Sequence, residues 1–120
     1  MKYLLMIYVN PSVLEVLPED EQKAMMAAHE SFQAAVEASG EAVGFAALGA
    51  PEASATVRVR DNVPAVTDGP YVEAKEFLAG YYVVDAATPE RAHELAALIP
   101  DAAYTAIEVR PVVNSSGSEA

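Results

Sequence analysis

Two histidines are the side chains in this 120-residue sequence that are best suited to proton transfer near neutral pH. His29 falls on one face of a predicted helix with Met25, Phe32 and Val36, which recur at spacings of seven and four residues. We therefore expect His29 to face a sheet and, with a carboxylate to hold its tautomer, to act as a general base. The alternative is a histidine at the edge of the core, satisfied by one hydrogen bond.

Metal and cofactor chemistry have no comparable signal. The second histidine, His93, projects away from the apolar stripe of its predicted helix, and no HxH or HxxxH spacing occurs. The sequence has no cysteine, no glycine-rich phosphate loop and no Gly-x-Ser-x-Gly elbow. We predict neither a metal site nor a cofactor.

The densest group of charges lies at residues 67–77, TDGPYVEAKEF, between two strand-like runs. Asp68 begins a turn with the Gly-Pro pair that follows it, and Glu73, Lys75 and Glu76 lie on what reads as one helical turn. Long charged loops in compact domains tend to carry function. The alternative is a solvated patch in which Asp68 only closes the turn.

Composition places the chain among single-domain globular proteins and excludes several partners. The net charge of -11 opposes binding to nucleic-acid phosphates and to anionic lipid. The longest apolar runs are too short to cross a bilayer, and the first run, at residues 3–9, ends at Asn-Pro without a cleavage site. We read that run as a strand and predict a cytoplasmic protein that binds neither nucleic acid nor membrane.

The elements that must position these residues follow from hydrophobic periodicity and from turn residues. Strands are predicted at residues 3–9, 42–48, 78–85 and 104–113, a hairpin at 56–67, and helices at 19–39 and 89–99. This order predicts an α+β fold, a βαββαβ sheet of the ferredoxin-like type with an inserted hairpin, followed by a disordered tail at 114–120.

Assembly follows from the count of layers. Two helices can cover only one face of a four-stranded sheet, whereas the strand at 3–9 is apolar on both faces. The uncovered face needs a partner, and a second copy is the simplest one. We predict a homodimer that packs sheet against sheet.

The string DGPYVEAKEFLAGYYVVD, with a hairpin before it and a helix and EVRPV after it, resembles the DGPF subgroup of the YciI-like (YCII-related) proteins. Tyr71 stands where the name motif has phenylalanine, and the resemblance covers residues 1–113 as one domain. It implies a dimeric α+β barrel and an acid–base pair made by a histidine on the first helix and a nearby aspartate. One relative eliminates chloride from a cyclic substrate, and some DGPF proteins occur beside sigma-factor genes.

Carried to this chain, the resemblance assigns the catalytic pair to His29 and Asp68. The side chains predicted to bind the substrate are Tyr71, Lys75, Tyr8 and Glu73. The tyrosines on buried strands, Tyr8, Tyr81 and Tyr82, are expected mostly in the core or the dimer interface, where one hydroxyl can still reach the cavity.

The leading hypothesis is an enzyme that isomerises a small cyclic or carbonyl-bearing molecule, or eliminates a group from it, without a cofactor. The rival is a non-catalytic dimeric module that binds a small ligand or a protein partner, with a regulatory link to sigma factors. In a third reading the charged loop is only part of a dimer interface.

Overall fold

The structure is a computed structural model, which describes residues 1–116. Its strands and helices run in the order β1 (Lys2–Val9), α1 (Pro11–Leu14), α2 (Glu19–Ala38), β2 (Ala42–Ala47), β3 (Ala55–Arg60), β4 (Val63–Asp68), β5 (Phe77–Asp85), α3 (Pro89–Ala97) and β6 (Ala106–Pro111). Short 3-10 turns occupy Pro51–Ala53 and Pro100–Ala103.

Four strands form one antiparallel sheet in the order β2-β5-β1-β6. Within the described residues, strands β3 and β4 pair with each other as a separate two-stranded sheet. Their turn is Asp61-Asn62, where φ is 51° and 64°, the positive values that a two-residue hairpin of type I′ requires. The α+β class and the inserted hairpin are thus confirmed.

The core lies between the sheet and the two longer helices. Alternate residues of β1 are buried in one cluster with residues of α2 and α3, so both helices cover the same face of the sheet. The cluster includes Tyr3, Leu5, Ile7, Val9, Phe32, Val36, Ala92, Leu95 and Ala96. The intervening residues of β1, which are Leu4, Met6 and Tyr8, point to the other face and are only partly buried.

Residues suited to helix ends stand at the start of α3 and after the end of α2. The Thr88 hydroxyl accepts a hydrogen bond from the backbone N–H of Arg91 over 3.1 Å, and Pro89 occupies the first helical turn of α3. Gly40 follows α2 with φ of 78°, a conformation that glycine adopts without strain.

Three local predictions were wrong. Residues 71–76 contain bends and no helical turn, and the stretch after β1, for which no element was predicted, holds α1, capped by the Asn10 side chain. The last strand begins at Ala106 rather than at 104, because the chain first makes the 3-10 turn Pro100–Ala103. The predicted tail lies partly outside the described residues, so its disorder stays a prediction. Within residues 1–116, no helix is long and apolar enough to span a membrane.

Candidate functional site

Both ring nitrogens of His29 are hydrogen-bonded in the structure. Nε2 lies 2.6 Å from Oδ1 of Asp101, and Nδ1 lies 2.9 Å from the hydroxyl of Tyr82. The Asp101 residue is 6% exposed, whereas the His29 side chain is 25% exposed. A carboxylate thus holds the inner edge of the imidazole, and the ring stays open to small molecules.

Three different elements position this group. His29 lies in the middle of α2, Tyr82 on β5, and Asp101 in the 3-10 turn after α3. Pro100 begins that turn, and the Asp101 carbonyl accepts hydrogen bonds from the backbone N–H groups of Tyr104 and Thr105. Because its backbone is held in this way, the Asp101 carboxylate is fixed toward α2 before any ligand binds.

The directions of the hydrogen bonds follow from the donors and acceptors available. A carboxylate only accepts, so the hydrogen of a neutral His29 ring lies on Nε2. The Gln33 side-chain amide donates to the Tyr82 oxygen over 3.1 Å. The Tyr82 hydrogen is then free to point at Nδ1, which accepts it. The result is one chain of hydrogen bonds from Gln33 through Tyr82 and His29 to Asp101.

Tyr82 remains protonated in this chain. Burial raises the pKa of its hydroxyl above the ordinary value, the hydrogen bond from Gln33 works against that rise, and the Asp101 carboxylate adds to it. The ring packs edge-on against Phe32, with 4.8 Å between centroids, and lies 6.1 Å from the His29 ring. Tyr82 is therefore a neutral phenol at neutral pH, and it can pass its hydrogen to His29 while it takes up another.

A cavity of about 240 Å³ opens against this chain of hydrogen bonds, between α2 and the strands β2 and β5. Its polar wall holds His29, Gln33, Tyr82 and Asp101, and its other walls are mostly apolar. Gly80 lines the cavity at the point where β5 lies close to β2. A Cβ at that position would lie 2.7 Å from the carbonyl oxygen of Ala46, so the close approach of the two strands requires glycine.

Comparison with known proteins identifies the family. A family model described as the YCII-related domain matches residues 1–116. This chain belongs to the YCII-related family. A relative in Rhizobium meliloti (strain 1021), itself described as uncharacterised, is 30% identical over 114 residues, which cover 93% of this chain and 92% of the relative. Neither match distinguishes a DGPF subgroup, which stays a prediction.

The catalytic aspartate predicted for this YCII-related chain was Asp68, yet the carboxylate bonded to His29 is Asp101. Asp68 ends β4 and is exposed, opposite Ala55 in the separate hairpin sheet. No hydrogen bond described for the His29 ring involves Asp68, so the predicted pairing is not the one observed. The physical reason is that β4 pairs only with β3, whereas the turn that holds Asp101 packs beside α2.

The other predicted binding residues lie outside the His29 cavity of the YCII-related chain. Tyr71 is 75% exposed with the Arg58 guanidinium 5.5 Å from its ring centre, and Glu73 and Lys75 are exposed on the same loop. Tyr8 lines a different cleft, of about 620 Å³, at the base of the hairpin. Of the six predicted site residues, His29 is the one that lines this cavity. Tyr82 is the tyrosine whose hydroxyl is bonded to it there.

Sequence reasoning missed Asp101 and Gln33. Asp101 is the one charged residue in the run LAALIPDAA, and an isolated acid in an apolar run is a signal for a buried partner. Gln33 lies four residues after His29, hence on the same face of α2. Within residues 1–116, no three histidine or acidic side chains converge as metal ligands do.

Proposed function

We propose that this YCII-related protein is an acid–base enzyme that moves a proton on a small cyclic or carbonyl-bearing molecule, with His29, Asp101 and Tyr82 as its catalytic machinery. The observation that supports it is the hydrogen-bonded chain from Asp101 through His29 to Tyr82 on the wall of a cavity. Histidine held by a buried carboxylate is an arrangement suited to general-base work.

In the proposed reaction a C–H bond next to the substrate carbonyl breaks. Its proton passes to the Tyr82 oxygen while the Tyr82 hydrogen passes to Nδ1 of His29, and the electron pair moves onto the substrate as an enolate. His29 then carries hydrogen on both nitrogens, and Asp101 stabilises that charge. Return of the proton to another carbon gives isomerisation, and loss of a leaving group gives elimination.

Each residue has a separate task in this scheme. Asp101 acts as a positioning residue, since it accepts the hydrogen bond from Nε2 and thereby fixes the tautomer and orientation of His29. Gln33 holds the Tyr82 oxygen, so the phenol cannot turn away from the imidazole. Proton transfer of this kind uses side chains alone, in keeping with the prediction of an enzyme without a cofactor.

The test is hydrogen exchange into a panel of small cyclic ketones and enones in D2O, followed by NMR at the carbons beside the carbonyl. We expect the wild-type protein to accelerate exchange and His29→Gln to lose about 10² to 10⁴ of that acceleration. His93→Gln, which alters the exposed histidine of α3, is the matched control and should retain it. Exchange that His29→Gln catalyses as fast as the wild type, or no exchange across the panel, overturns the proposal.

A second candidate is a non-catalytic ligand-binding module, and the cleft of about 620 Å³ at the base of the hairpin favours it. Tyr8 lines this cleft together with residues of the 67–77 loop, among them Glu76. In this candidate the 67–77 loop keeps its predicted role in binding, and Asp68 forms the turn at the start of that loop. A regulatory link to sigma factors, and a catalytic role for Asp68, stay predictions.

The sheet order β2-β5-β1-β6, with both long helices on one face, supports a ferredoxin-like chain. The other face presents Leu4 and Met6 of β1 opposite Val83 and Tyr81 of β5. Apolar side chains on the uncovered face of a sheet favour a partner. We propose that a second copy covers this face and forms the dimeric barrel.

A further inference from the structure

The charge of the His29 cavity restricts what it can bind. None of the described residues that line it is a lysine or an arginine, and the one carboxylate on its wall is that of Asp101, which is bonded to His29. The chain as a whole carries a net charge of -11. An anionic ligand would lie beside the like charge of Asp101, without a lysine or an arginine on the described wall to pair with it.

The size of the cavity restricts the ligand further. Its volume of about 240 Å³ exceeds the roughly 150 Å³ known to hold a benzene molecule in an apolar protein cavity, but leaves little room beyond one substituted ring. The apolar walls, from Ile7, Phe45 and Ala79, suit the body of such a ring. The side-chain amide of Gln33 has a second N–H besides the one that it donates to Tyr82, and this donor suits a single carbonyl or hydroxyl group.

Phe45 sets the boundary of this space. A second cavity of about 210 Å³ continues along α2 and β2, and both cavities are lined by Gln33, Phe45 and Tyr82. The Phe45 ring lies 5.6 Å from the Tyr82 ring, on the edge strand β2, and is 60% exposed. Removing this ring would join the two spaces without emptying the core, because Phe45 does not belong to the buried cluster.

From these observations we infer that the ligand of the His29 cavity is an uncharged molecule of one ring with one carbonyl oxygen, and that Phe45 limits its size. The inference rests on the proposed function, since it names the substrate class of the same site. Phe45 is then a specificity-determining residue, and the site selects neutral ligands rather than carboxylates.

The test is binding, read by NMR from the side-chain amide of Gln33 and the backbone amide of Gly80 in 15N-labelled protein. The probes are benzamide, its isosteric anion benzoate, and the two-ring 2-naphthamide. We expect benzamide to shift both signals, benzoate to bind at least about tenfold more weakly, and Phe45→Ala to bind 2-naphthamide at least about tenfold more tightly than the wild type does.

Leu98→Ala is the matched control, because Leu98 is also 60% exposed and lines neither cavity. It should bind all three probes as the wild type does. Benzoate binding as tight as that of benzamide, an unchanged response of Phe45→Ala to 2-naphthamide, or no shift of Gln33 by benzamide each overturns the inference.

The binding and exchange experiments together distinguish failure of the proposed ligand class from failure of the proposed function. A protein that binds benzamide but exchanges no ketone hydrogen refutes the proposed function and leaves the ligand class standing. A protein that exchanges only ketones bearing a carboxylate supports the proposed function and refutes the ligand class.

Discussion

His29 and Asp101 form a hydrogen bond of 2.6 Å across 72 residues of sequence, between the middle of α2 and the turn that follows α3. This contact joins α2 to the turn after α3 at the edge of the cavity. Because Asp101 is almost fully buried while His29 is partly exposed, the carboxylate serves the imidazole rather than the solvent. The predictions below test this contact and the elements that hold it in place.

Asp101→Ala should lower the free energy of unfolding by about 1–3 kcal/mol, because it leaves the Nε2 hydrogen of His29 without its acceptor in a largely buried site. The 15N chemical shifts of the imidazole should also change from a single Nε2–H tautomer to a mixture. Asp85→Ala is the control, since Asp85 pairs with the N-terminal ammonium group at an exposed site and its loss should cost less. Equal losses from both variants, with an unchanged tautomer, would contradict the role assigned to Asp101.

Tyr82→Phe should change how stability depends on pH in the alkaline range. The pKa of Tyr82 is raised by burial in the folded protein, so folding favours the neutral phenol. Its contribution is present below the ordinary pKa of about 10 and is lost as the pH rises through the raised value. Urea unfolding from about pH 8 to about pH 11 should show a shallower alkaline loss for Tyr82→Phe than for the wild type. Tyr71→Phe, at an exposed tyrosine, should reproduce the wild-type slope.

Glu41→Gln should remove part of the stability that the protein gains above acid pH. Arg91 donates to both carboxylate oxygens of Glu41, over 2.8 and 2.9 Å, and this pairing lowers the pKa of Glu41 although burial opposes it. The contribution is present above the ordinary pKa and is lost as the pH falls through the lowered one.

The measurement for Glu41 is urea unfolding at several pH values between about 6 and about 3. Wild type and Glu41→Gln should differ most at the upper end and converge as the pH falls. Glu94→Gln alters a more exposed carboxylate that also contacts Arg91, at 3.2 Å, and should differ less from the wild type. A gap between wild type and Glu41→Gln that widens toward low pH would show that the sign is wrong.

Gly80→Ala should destabilise the protein by about 1–3 kcal/mol, because the added Cβ would lie 2.7 Å from the Ala46 carbonyl oxygen and force β2 away from β5. The effect should appear as faster amide hydrogen exchange in β2 and as a lower midpoint in urea. Gly44→Ala is the matched control on the neighbouring edge strand β2, where an added Cβ meets nothing within 4 Å. If Gly44→Ala proved as costly as Gly80→Ala, the close approach at Gly80 would not be the cause.

Met6→Glu should abolish the proposed dimer, since it places a charge on the uncovered face of β1, opposite Glu108 of β6. Sedimentation should show a dimer for the wild type at micromolar concentration and a monomer for Met6→Glu, with circular dichroism to confirm folding. Leu98→Glu, on the helical side, should remain a dimer. A monomeric wild type would refute the packing of sheet against sheet.

Sequence by itself determined the main strands, the two long helices and the direction in which His29 points. The apolar run of β1, the apolar stripes of α2 and α3 and the capping residue Thr88 are local patterns, so they can be read from the sequence without knowing the fold. The alternating burial along β1 came from the structure, because the two helices cover one face of that strand. The stripe that Phe32 and Val36 share with His29 was enough to place the histidine against the sheet.

Only the tertiary structure decided which carboxylate meets that histidine. Asp68 stands in the most distinctive motif of the sequence, yet its strand pairs in a hairpin apart from the main sheet and leaves it exposed. Asp101 lies in no motif and reaches His29 because α3 and its final turn pack beside α2 over the same sheet. Periodicity reports which face a residue occupies, but a contact between residues far apart in sequence depends on how the faces of several elements are packed together.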